Sequence, residues 1–88
     1  MTVELVKGVF LEVHPADDGW IVHAEYAALT KRFFVSRRTG RIVQPPFRGK
    51  YVPPGDFQVM KRAIVEWRNR RMAQERQAHA YARGDPLD

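Results

Sequence analysis

Eighty-eight residues, 44% hydrophobic and 28% charged, give one globular domain with a modest core and leave no room for two. No cysteine is present, which excludes disulfides, thiolate metal sites and a cysteine nucleophile; no stretch approaches the roughly 20 apolar residues that span a bilayer, so a cytoplasmic protein with no membrane partner is expected. The net charge of +5 is unevenly laid, since residues 1–30 hold one lysine against five acids while residues 31–83 hold fourteen Lys and Arg against Asp56, Glu66 and Glu75.

Along residues 3–13 the apolar side chains Val3, Leu5, Val9, Leu11 and Val13 occupy odd positions, interrupted by Lys7, a period-2 pattern that predicts one strand. His14 to Gly19 supplies a proline, two acids and a glycine, which is turn composition. Trp20, Val22, Ala24 and Tyr26 then alternate with Ile21, His23 and Glu25, predicting a second strand over 20–28 that returns as a hairpin. Matching the apolar faces sets Val13 opposite Trp20, Leu11 opposite Val22 and Val9 opposite Ala24. Residues 32–36 are rich in strand formers, Arg37-Arg38-Thr39-Gly40 ends in the glycine that a left-handed turn position favours, and 41–44 resumes as a fourth strand. An antiparallel meander results, with one face wet unless a helix or a partner covers it.

Two Pro-Pro pairs then bracket Phe47-Arg48-Gly49-Lys50-Tyr51. Each pair favours extended polyproline geometry, so the pentapeptide loses less entropy when it orders. Its rings either stack on unpaired bases or fold back into the core. Asp56 reads as an N-cap, and Phe57, Met60, Ala63, Ile64 and Trp67 recur at three- and four-residue spacing, predicting an amphipathic helix over 57–82 packed on the sheet. The stripe continues through Arg71, Gln74 and Ala78, so the helix outruns its core: about 39 Å of helix faces strands of about 20 Å. The fold class expected is α+β, ββββα, in a single domain over 1–83 with 84–88 as a flexible tail.

Catalytic chemistry finds little to use. Ser36 sits at a hairpin mouth without a nucleophile elbow. His14, His23 and His79 form no ligand-spaced cluster, Asp17-Asp18 is turn chemistry, and the scattered glycines build no phosphate cradle. No enzyme activity, cofactor, metal or small-molecule substrate is expected. What remains is cationic, in three clusters: Lys31, Arg32, Arg37, Arg38 and Arg41 on the second hairpin, Arg48 and Lys50 in the bracketed loop beside Phe47 and Tyr51, and Arg68 and Arg71 with Arg70 and Arg76 on the helical extension. Guanidinium and ammonium groups suit phosphates, although eleven Arg against four Lys is also what a GC-rich genome produces. The helical arginines scatter around the helix, which argues against a groove-reading helix. Met72, Ala73, Ala78, Ala80 and Tyr81 give a thin apolar complement, so a monomer or a weak homodimer is expected.

A short sheet with a basic Arg37-Arg38-Thr39-Gly40 hairpin, followed by a packed helix, resembles in outline the arm-binding domains of phage integrases and the plant AP2 domain, in which a three-stranded sheet contacts DNA. The likeness covers residues 32–67, lacks those families' diagnostic motifs and leaves an N-terminal hairpin over, so it is one of architecture and fixes no function. The expected function is a non-catalytic module contacting nucleic-acid phosphates through the basic hairpin and loop. The alternative is a protein-binding inhibitor or adaptor, such as a phage or mobile-element anti-defence protein, occupying an acidic or nucleic-acid-binding site on a larger complex.

Overall fold

The computed structural model describes residues 1–44 and 51–83, with side chains as far as Gln77. Five strands, β1 (Thr2–Val6), β2 (Val9–Ala16), β3 (Gly19–Tyr26), β4 (Leu29–Ser36) and the two-residue β5 (Ile42–Val43), are followed by one helix, α1 (Pro54–Arg83). The strands form a single antiparallel sheet in chain order, and α1 lies across one face of it. This is the α+β meander with one C-terminal helix that the sequence predicts. Among the described residues no helix is long and apolar enough to cross a membrane.

The single strand expected over 3–13 is instead a hairpin. Lys7 and Gly8 take φ of 50° and 78°, the two positive values of a type I′ turn, whose twist matches that of the strands it joins. A two-residue turn reverses the inward parity. Val6 pairs with Val9 and Glu4 with Leu11 on the helix side, while Val3 pairs with Glu12 and Leu5 with Phe10 on the outer side. Val3 and Leu5, expected in the core, are therefore exposed.

The next hairpin keeps the predicted faces but slips by two residues: Val13 lies opposite Val22, Leu11 opposite Ala24 and Pro15 opposite Trp20. β2 runs on to Ala16 because only Asp17 and Asp18 make the turn. Pro15 is tolerated in the strand since β1 ends at Thr2, opposite Val13, leaving one side of β2 free where a missing N–H breaks no ladder. Gly19 serves packing as well as the turn, for a Cβ there would overlap the Val35 carbonyl oxygen. β3 and β4 join through Ala27-Ala28, both at positive φ, so β4 begins at Leu29, three residues earlier than expected.

Helix α1 begins at Pro54 rather than Phe57. Pro54 takes the first helical position, where its lack of an N–H costs nothing, the Phe57 amide donates to the Pro53 carbonyl at 2.9 Å, and Asp56 lies in the first turn, favourable against the helix dipole, instead of capping it. The core is the predicted stripe, Met60, Ala63, Ile64 and Trp67, against Val6, Val9, Leu11, Val13, Trp20, Val22, Ala24, Phe33 and Val35, closed by Val52. Phe57 stacks on Phe33 at 6.0 Å and Trp67 meets Trp20 edge-on at 5.4 Å. The helix thus starts near the Lys7-Gly8 and Ala27-Ala28 turns and leaves over the opposite end, where the Asp17-Asp18 turn and the β4–β5 tip lie. Residues 73–77 are exposed, past the last packed side chain, Met72.

Candidate nucleic-acid interface

The end of the sheet over which α1 leaves is where arginines converge. The β4–β5 tip is shaped by Gly40, at φ 74°, whose amide donates to the Ser36 carbonyl while the Ser36 amide donates to the Arg41 carbonyl. Ser36 Oγ accepts from the Thr39 amide and Thr39 Oγ1 from the Arg41 amide, both at 3.2 Å. Ser36 thus has a structural task, as expected of a turn serine.

This tip docks on the helix. Arg68 Nη1 donates to the Gly40 carbonyl at 3.2 Å, and Gly40 faces the Arg68 and Met72 side chains. Trp20, buried at the start of β3, is the platform beneath: the Arg37 guanidinium lies 4.7 Å from its ring centre and that of Arg71 5.8 Å, with Arg71 also 5.6 Å from the Trp67 ring. Cations over indole faces are held by the ring quadrupole. Arg37 of the tip and Arg68 and Arg71 of the helix, far from Arg37 in the chain, so become one cluster, with exposed Arg38 and Arg41 on the same tip. Neither of these two makes a side-chain hydrogen bond or ion pair among the described residues.

Other predicted contacts fall elsewhere. Lys31 and Arg32 are consecutive in β4 and so point to opposite faces: Lys31 lies on the helix side with its ammonium 5.2 Å from the Phe57 ring, and Arg32 lies on the outer face opposite His23. The second-hairpin cations therefore do not form one surface. Tyr51 is 78% exposed, and its neighbour Val52 enters the core in its place. Phe47, Arg48 and Lys50 lie outside the described residues.

Acidic side chains that the sequence sets apart from the basic stretch are brought back to it. The Asp18 carbonyl accepts from the Arg37 amide at 2.8 Å, placing the Asp17-Asp18 turn beside the tip across an open cleft of about 550 Å³ lined by Asp17, Asp18, Ser36, Arg37, Arg38 and Thr39. Glu4 accepts from Trp67 Nε1 at 2.9 Å and lies 3.7 Å from an Arg71 nitrogen. On the outer face Glu12 pairs with His14 at 2.6 Å, and His14 meets His23 edge-on at 5.3 Å. The histidines are diagonal neighbours, His14 lying opposite Ile21 and His23 opposite Glu12. Burial, then Arg32, then His14 lower the pKa of His23 against a smaller opposing pull from Glu12, so the folded chain favours its neutral form.

Comparison of the chain with protein-family models, with curated proteins and with solved structures finds no match in any of the three. The features that sequence reasoning does not reveal here are the Trp20 and Trp67 platform under the arginines and the counter-charge of Glu4. Both depend on long-range packing for which the local pattern carries no signal.

Proposed function

We propose that this chain is a small non-catalytic binding module whose arginine-bearing end contacts the phosphates of a nucleic acid. The observation that carries this reading is the convergence of Arg37 and Arg71 over Trp20, and of Arg68 on the Gly40 carbonyl of the tip, beside exposed Arg38 and Arg41. Stacking and the Gly40 contact hold the first three guanidinium groups in place, which reduces the entropy lost on binding, while Arg38 and Arg41, unpaired among the described residues, offer their donors to a ligand. The Asp17-Asp18 turn at the rim selects against strands that approach from that side.

A titration of labelled single-stranded and duplex DNA and RNA, at about 50 and about 200 mM salt, tests the reading. With four phosphates engaged, affinity drops on the order of 100-fold between the two salts. The Arg38→Glu, Arg41→Glu variant keeps the fold, since only exposed side chains change, and loses binding. Binding unchanged in that variant removes this surface from the reading.

A second reading, docking to a protein, is favoured by one separate observation: the outer face of the sheet leaves Val3, Leu5 and Phe10 more than half exposed, at 60%, 63% and 53%. A protein interface built there keeps most of its affinity at 200 mM salt, because apolar burial is not screened.

A further inference from the structure

Cations converge at a second place, on the flank of α1 nearest the β1–β2 turn. An open cleft of about 350 Å³ is lined there by Lys7, Gln58, Lys61, Arg62, Val65 and Glu66. The five helical residues follow the i, i+3, i+4, i+7, i+8 spacing of a single helix strip, on the side of α1 turned away from the buried Met60, Ala63, Ile64 and Trp67 stripe. Lys7 reaches the strip from the turn, which buried Val6 and Val9 anchor on either side. Lys7 is the lone lysine or arginine of the acidic first 30 residues, and folding sets it against two cations more than fifty residues away.

The electrostatics of this cleft are one-sided. Among the described residues Lys7, Lys61 and Arg62 make no side-chain hydrogen bond and no ion pair. The one acid in the lining, Glu66, is engaged by Arg70 at 3.1 Å. Three cations around one cleft repel each other, and an anion entering it relieves that repulsion as well as adding its own attraction. We propose that this cleft binds a phosphate group, with Arg62 offering a planar two-pronged donor, Lys7 and Lys61 compact charges, and the Gln58 amide a neutral donor.

The phosphate can belong to a nucleic-acid strand or to a free phosphate compound. The first source rests on the function proposed above; the site itself does not. Nine or ten residues of helix, about 15 Å, separate Lys61 and Arg62 from Arg71, a distance of four to five nucleotide steps at about 3.4 Å in a duplex strand. At about 100° per residue Arg71 stands about 80° around the helix from Lys61 and about 180° from Arg62, so one strand reaches both ends by winding partly around the helix as it runs along it.

The test is a two-dimensional amide NMR titration of the full chain with inorganic pyrophosphate and, separately, with a mixed-sequence oligonucleotide, on the parent protein, on Lys61→Gln with Arg62→Gln, and on Arg38→Gln with Arg41→Gln. Pyrophosphate is expected to shift the amides of Lys7, Gly8, Lys61 and Arg62 in the parent and in the Arg38, Arg41 variant, and to bind at least about tenfold more weakly to the Lys61, Arg62 variant. If the oligonucleotide uses the same cleft, that variant also lowers the slope of log affinity against log salt by about 1 to 2, the loss of one or two phosphate contacts. Oligonucleotide binding that needs Lys61 and Arg62 but not Arg38 and Arg41 upholds this site and overturns the arginine-end reading. Pyrophosphate shifts without oligonucleotide shifts assign the cleft to a free phosphate compound. Unmoved Lys7, Lys61 and Arg62 amides in both titrations overturn the proposal, whatever happens at Arg38.

Discussion

One indole ties together three parts of the fold. Trp67 is 2% exposed, packs edge-on against Trp20 of β3, and donates its N–H to Glu4 of β1 at 2.9 Å. A buried indole needs an acceptor for that N–H, and a half-buried carboxylate gains from a donor, so each group meets the other's requirement. Trp67→Ala should cost about 3–5 kcal/mol in urea unfolding, through the cavity it leaves. Trp67→Phe keeps most of the ring burial and removes the donor, and should cost about 1–2 kcal/mol; a Phe variant as stable as the parent would show that the Glu4 bond contributes nothing. The place of Trp67 in the core was legible, because the spacing from Phe57 onward admits one inward face. Its partner was not: Glu4 shares its even position with Glu12, and alternation sends both to solvent unless a turn intervenes.

That turn explains most of the difference between pattern and structure at the level of strands. Lys7-Gly8 reverses parity, but Val3 and Leu5 before it and Val9, Leu11 and Val13 after it are all odd, so the apolar alternation resumes in phase after the reversal. Only the break at Lys7 and the glycine after it mark the position. At Ala27-Ala28 even that mark is missing. Both alanines adopt the left-handed region, at φ 52° and 62°, where a Cβ crowds the following carbonyl at a cost of about 1 kcal/mol or more per residue. The long β3 and β4 ladder on either side holds them there. Ala27→Asn with Ala28→Gly matches the residue preference of this turn and should raise stability by about 1–2 kcal/mol, visible as a rise in Tm of at least about 4 °C for a domain of this size. A fall in Tm would mean that the alanine methyl groups make contacts outweighing the backbone strain. The helix, by contrast, was legible nearly to its ends, and its start moved to Pro54 because proline fits a first turn better than the cap reading of Asp56 allowed for.

The division of charge along the chain does not survive folding. Antiparallel pairing returns Asp17 and Asp18 to the arginine tip and Glu4 to Arg71, and among the described residues cations without an ion pair gather at the tip, with Arg38 and Arg41, and on the flank, with Lys7, Lys61 and Arg62, besides Arg32 on the outer face and Arg76 on the helical extension. The apolar surface is divided just as sharply, by the single helix that covers one face and leaves the other open. Leu5 and Leu11 test this division, since both lie at odd positions of one continuous alternation and the sequence gives them the same role. In the structure Leu11 is fully buried under α1 and Leu5 is 63% exposed on the outer face, opposite Phe10. Leu11→Ala should cost about 2–5 kcal/mol in urea unfolding, whereas Leu5→Ala gives up one cross-strand contact worth at most about 1 kcal/mol. Equal large costs would restore the uninterrupted first strand and remove the open face. The same face separates the two functional readings: Leu5→Thr with Phe10→Thr leaves every cation in place, so binding that persists in this variant belongs to the charged ends, and binding that is lost belongs to the sheet.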